Sequence, residues 1–194
     1  MTFADPPPFA AWRHVDARDG FEVVFIERTP DGWRVEGHTA AVEDGEPSAV
    51  DYVIDLDAGW RTRHAVVTSH SRSGHAERTI EADGAGSWRV DGRPAPLLDG
   101  VLDIDLESSS FTNAFPVHRF GLAVGDAAPA PAAYVRQLDL AVERLEQGYV
   151  RLEDGEGDHR RFHYTSPAFG TSCELVFDPS GLVLDYPGIA VRRA

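Results

Sequence analysis

The sequence predicts an all-β, mainly antiparallel fold, and three observations lead there. Turn residues punctuate the chain densely: Pro30-Asp31-Gly32, Asp44-Gly45, Ser73-Gly74, Asp83-Gly84, Asp91-Gly92, Asp154-Gly155 and Asp178-Pro179-Ser180-Gly181. All suit reversals, because Gly accepts positive φ and Asp bonds its own backbone. The segments between them are short and rich in Val, Ile, Phe, Tyr, Trp and Thr, the composition of a pleated sheet. Finally, segment 21–28 is apolar on both faces, with Phe21, Val23 and Phe25 on one side and Val24 and Ile26 on the other. A half-solvated strand would not look so. Either a second layer covers the sheet or one side lines a cavity in a curved sheet, and the scarcity of helical segments favours curvature.

Taken in order, Asp5-Pro6-Pro7-Pro8 is an extended lead-in. Strands are predicted over 21–28, 33–42, 49–57, 60–70, 75–82, 87–91 and 102–106, then over 134–144, 147–153, 159–165, 171–178 and 181–185. Gly84-Ala85-Gly86 is read as a hairpin turn. One or two helical turns are predicted at Ser109 to Phe115, where serines can cap and Pro116 would stop the helix. Asp126 to Ala133, with Pro129 and Pro131 among alanines, is read as a loop. In 138–147, Leu138, Val142 and Leu145 recur at helical spacing, but Leu138, Leu140 and Val142 also alternate, and strand is the reading adopted.

The faces of these strands carry the candidate chemistry. All four tryptophans precede arginine, at Trp12-Arg13, Trp33-Arg34, Trp60-Arg61 and Trp88-Arg89, and period 2 places indole inward and guanidinium outward. In 60–70, unbroken alternation puts Arg61 and Arg63 on one face with Ala65 and Val67. On a concave face they would meet a ligand's phosphate or carboxylate; on a convex one they are solvated or paired. Asp103 and Asp105 share a face about 7 Å apart, a spacing that overlaps that of inverting glycosidase pairs but that any D-x-D strand produces, Asp55 and Asp57 included.

Composition narrows the function classes. The chain has 194 residues, 18 basic against 32 acidic, and a net charge of −14, and every basic residue is Arg. One domain spanning 1–194 is expected. The acidic balance and the lack of a basic stretch argue against nucleic acid. Met1 to Ala11 carries no basic start or apolar run, and apolar stretches elsewhere are only a few residues long, so neither signal peptide nor transmembrane segment is expected. The lone Cys173 is read as a core residue in a reduced, cytoplasmic setting. No G-x-S-x-G, Walker loop, H-E-x-x-H or dinucleotide fingerprint occurs, and no cofactor is expected. His159 and His163 would stand about 13 Å apart on a strand, too far to share a metal.

Four blocks carry a family likeness: Asp57-Ala58-Gly59-Trp60-Arg61-Thr62-Arg63; Leu98 to Leu106 continuing into Phe111 to Arg119; Gln147-Gly148-Tyr149; and Gly181 to Gly188 with Arg192. On them the chain resembles the bacterial putative glycolipid-binding family. The resemblance implies a large curved β-roll or partly open barrel of about 12 to 15 strands with at most one or two short helices. Its apolar groove would hold a small amphiphile, a lipid or glycolipid. The signature it carries over comprises Trp60, Arg61, Arg63, Asp103, Asp105, Thr112, Asn113, Arg119, Gln147, Tyr149, Tyr186 and Arg192. Ser110 stands where the family has Pro, and His118 where it has a basic residue, which touches loop shape and anion affinity. The signature serves equally as an ion-pair network fixing the roll or as a head-group site. The expected function is non-enzymatic amphiphile binding by a monomer or weak homodimer. The alternatives are a glycoconjugate hydrolase using Asp103 and Asp105, and an interaction module working through a sheet edge.

Overall fold

Alternation of inward and outward side chains builds one long meander in the computed structural model, which describes residues 3–194. The N-terminal half runs β1 (Phe9–His14), β2 (Asp19–Arg28), β3 (Gly32–Glu43), β4 (Glu46–Asp57), β5 (Thr62–Ser71), β6 (Gly74–Ala82), β7 (Trp88–Val90) and β8 (Arg93–Pro94). A middle segment follows with β9 (Asp103–Leu106), the short helix α1 (Ala114–Phe120), β10 (Ala127–Pro129), β11 (Ala132–Val135) and β12 (Val142–Leu145). The C-terminal part is β13 (Gly148–Arg151), β14 (Arg160–Ser166), β15 (Thr171–Phe177), β16 (Val183–Tyr186) and β17 (Ala190–Arg192). Fourteen strands form one open antiparallel sheet in the order β10-β13-β14-β15-β16-β17-β1-β2-β3-β4-β5-β6-β7-β8. β17 zips onto β1 through Trp12 opposite Arg192, so the two ends of the chain meet mid-sheet. A small sheet, β12-β11-β9, pairs β11 with β9 in parallel.

Curvature follows from who touches the middle segment. Thr62 of β5 accepts a hydrogen bond from the Ile104 amide at 2.9 Å. From the far side, Tyr149 of β13 donates to Asn113 at 2.9 Å. β5 and β13 are nine strand steps apart in the sheet order, which in a flat sheet is about 43 Å. The sheet therefore wraps the segment as a trough around a plug. Its inward Val35, Ile54, Ala65, Val67 and Ile80 pack on Ile104, Leu106, Phe111 and Phe115. A second apolar cluster gathers Tyr149, Phe162, Tyr164, Leu175 and Phe177 with Val117 of α1. The plug is the protein's own, and its Ile104, Leu106, Phe111 and Phe115 pack against the inward face of the sheet.

Several sequence expectations change. The first strand begins at Phe9, not Phe21, and β17 follows the last strand expected. The expected strand 134–144 is a hairpin, because Leu140 takes φ 52° and reverses the chain between β11 and β12. The expected loop at 126–133 contains β10 and the start of β11. Pro116 does not stop α1. It lies in the first turn, where no intrahelical N–H bond is lost, and the helix ends at Gly121 with φ 58°. Phe21 and Phe25, with Phe9 beside them, are more than half exposed on the convex side, so neither a second layer nor a cavity covers that face of β2.

The sheet edges are blunted. β8 is two residues long and ends in Pro94, and β10 is three residues long and ends in Pro129. Proline removes ladder donors, so neither edge invites a further strand.

Candidate functional site

Strand β9 reads Asp-Ile-Asp-Leu and is buried throughout, an unusual place for two carboxylates. Each has its own solution. Arg119 of α1 clamps Asp103 with both arms, Nε to Oδ1 at 3.2 Å and Nη2 to Oδ2 at 2.5 Å. This is the planar fork geometry that favours arginine over lysine. Asp105 receives only the Thr112 hydroxyl at 2.8 Å among the described residues. Burial pushes its carboxyl up to about 7 against the Thr112 bond, with the Asp103 and Glu107 charges adding to the rise.

Asp105 looks into a cavity of about 200 Å³ between the plug and the β14–β17 side of the trough. Its polar lining is Arg18, Asp105, Glu107, Ser109, Asn113 and Thr171. Its aromatic and apolar walls are Tyr134, Tyr164, Tyr186, Phe169, Leu145 and Ile189. Phe169 is more than half exposed and packs on Tyr134 with ring centres 5.3 Å apart, which marks the mouth. Behind the lining, Tyr149 donates to Asn113 at 2.9 Å and Tyr164 to Gln147 at 2.7 Å, fixing amide and phenol orientations. Burial raises Tyr149, Tyr164 and Tyr186 above the ordinary phenol range, and the Asp105 charge adds to the rise in each. The arrangement offers alternating donors and acceptors beside flat rings, the chemistry that holds a hydroxylated ring.

The signature residues divide among three places. Asp105, Asn113 and Tyr186 line the cavity, with Thr112, Gln147 and Tyr149 supporting them from behind. Asp103, Arg119 and Trp60 lie at the α1 end, where Trp60 stacks on His118 at 3.7 Å and 6° between planes. Burial lowers His118 to about 4, so that imidazole is neutral. Arg192 sits near this end too, bonded to Asp178 at 3.3 Å and lying over the Trp12 ring.

Arg61 and Arg63 are exposed on the outside. The expected alternation with Ala65 and Val67 fails because the register with β4 shifts between Asp55 and Leu56. That irregularity sends Thr62 inward and Arg63 outward. Trp60 does not open a strand: it occupies the β4–β5 turn at φ 62°. Asp103 is absent from the cavity lining, so the D-x-D pair is not presented to one ligand; the second acid there is Glu107.

Sequence reasoning missed Arg18, Tyr134, Tyr164, Phe169, Ser109 and Glu107. Tyr164 had a signal, since Phe162, Tyr164 and Ser166 alternate inward; Arg18 in the β1–β2 turn had none. A larger hollow, about 560 Å³, is an open groove at the opposite sheet edge beside Trp88, Pro94 and Pro96, with Glu81, Asp83, Arg89 and Asp99 also on its lining. It contains none of the signature residues. Cys173 is half-buried beside the second cluster, and burial raises its thiol.

Comparison with known proteins gives a family and a fold. A family model described as "Putative glycolipid-binding" matches residues 9–192. A crystal structure of a DUF1089 family protein from Pseudomonas aeruginosa is 34% identical with TM-score 0.76, covering 89% of this chain and 92% of that one. A beta-barrel-like protein of domain of unknown function DUF1849 from Brucella abortus has TM-score 0.59 at 10% identity, covering 98% and 96%, a likeness of fold alone. No curated protein matches the chain.

Proposed function

The chain belongs to the family described as "Putative glycolipid-binding", and on that premise we propose that it binds an amphiphile non-enzymatically, with the head group in the Asp105 cavity. One observation carries this reading: Asp105, Asn113 and Tyr186 from two signature blocks converge on a single hollow with Tyr134 and Tyr164. The hollow, about 200 Å³, is smaller than the roughly 300–1,000 Å³ of drug-sized pockets. It suits one ring, not an acyl chain. The chain of the amphiphile then stays outside, against Phe169 and its apolar neighbours at the mouth. Two-carboxylate hydrolysis has less support, because Arg119 holds Asp103 away from the cavity.

The test is lipid extraction and native mass spectrometry of the purified protein, followed by titration with glycosyl amphiphiles. A glycosylated lipid bound at one per chain is expected, with affinity falling at least about tenfold in Tyr186→Ala through loss of a stacking face. No affinity for any glycosyl amphiphile, or binding untouched by that substitution, would overturn the proposal.

A further inference from the structure

We infer that the cavity selects an uncharged, hydroxyl-bearing head group and rejects an anionic one, because two carboxylates, Asp105 and Glu107, stand on its lining against a single guanidinium, Arg18. This rests on the head-group reading above and gives it a ligand class. The family likeness alone leaves open whether the polar end is a neutral sugar, an acidic sugar or a phosphate.

Three guanidiniums come near the cavity. Arg136 does not line it but acts on the lining Tyr134, and sits 4.0 Å from the Glu143 carboxylate. Arg119 is held by both oxygens of Asp103 and does not line the cavity. Arg18 does line it, but donates to the Gln137 side chain at 2.5 Å and the Glu107 carbonyl at 3.0 Å, with its Nε 3.4 Å from the Glu43 carboxylate. Against these stand the carboxylates of Asp105 and Glu107, both in the lining and neither bonded to an arginine side chain. An anion entering would meet two acids in a poorly solvated space against the one guanidinium of Arg18, whose charge already lies beside the Glu43 carboxylate. Like charges brought together at a desolvated contact cost several kcal/mol, whereas an uncharged hydroxyl can bond a carboxylate, a protonated carboxyl or a phenol without such a penalty. The lining phenols of Tyr164 and Tyr186 point the same way, since burial first and the Asp105 charge next hold both against ionisation.

A matched pair of probes isolates the charge: octyl β-glucoside and octyl β-glucuronide differ by one carboxylate on the same ring and chain. Both are titrated into the full chain below their micellar concentrations at pH 8, by calorimetry or intrinsic fluorescence. The glucoside should bind at least about tenfold more tightly than the glucuronide. Asp105→Asn, which keeps shape and the Thr112 contact, should shrink that ratio, and Glu107→Gln gives an independent reading if the first variant folds poorly. Equal binding of the two probes, tighter binding of the glucuronide, or a ratio unmoved in both variants overturns the inference while leaving the head-group site standing. If neither probe binds, the head-group reading falls and the inference with it.

Discussion

Asp105 shows how a single side chain can link stability to pH. Its carboxyl has an ordinary value of 3.8 and is raised in the fold to about 7. Between those values the unfolded chain has released a proton that the folded protein keeps. The stability tied to Asp105 is therefore fully present below about pH 4 and lost as pH rises through about 7. Asparagine cannot ionise, so Asp105→Asn should gain stability relative to the parent between pH 4 and 7 and hold a constant advantage above 8. Urea unfolding of both proteins at pH 4, 6 and 8 measures this; a difference that does not change with pH would contradict the burial of the charge. Glu22 is a second buried acid with a different solution. It accepts from the Tyr52 hydroxyl at 2.7 Å, the Ser110 amide at 2.8 Å and the Ser109 hydroxyl, although burial still raises its carboxyl. It ties the trough to the plug and does not face the cavity.

Among the elements, β3 and β4 set the scaffold through twelve residue pairs in continuous register. Gly37 faces Tyr52 across that ladder, and a Cβ there would lie 1.9 Å from the phenol carbon of Tyr52. The ring lies over the glycine and aims its hydroxyl at Glu22. Gly37→Ala should therefore displace the ring and weaken the Glu22 network, lowering stability by about 1–3 kcal/mol as an overpacked core site does. Chemical denaturation checks it, and a neutral result would mean the ring has room to move. The turn between β4 and β5 is the other strained element. Trp60 holds φ 62°, costly for a bulky residue, and the stack on His118 and contacts with Trp33 and Phe115 keep it there. The family block around Trp60 is thereby explained as a structural clamp between that turn and α1.

At the scale of the whole molecule, two apolar clusters share one plug. Ser69 and Thr62 of β5 hold it from one side, Tyr149 from the other. Because neither half of the sheet can bury its inner face without that segment, loss of the plug exposes both. Far-ultraviolet and near-ultraviolet circular dichroism should give coincident thermal transitions, the mark of one cooperative unit. Two separated transitions would show that the halves fold on their own.

The sequence by itself determined the all-β meander, the family and the pairing of polar residues in a few blocks. Turn residues, β-branched alternation and the D-x-D strand are local features, set within a few bonds. Which face of each strand looks inward was decided only by tertiary structure. One register shift beside Asp55 sent Arg63 outward, and Pro116, falling in a first turn, did not end α1. The cavity is likewise a tertiary fact: Arg18, Asp105, Tyr134, Tyr164 and Tyr186 come from well-separated stretches of chain and meet because the sheet curls around its own middle segment. No local pattern encodes that meeting, because burial and charge compensation depend on neighbours distant in sequence.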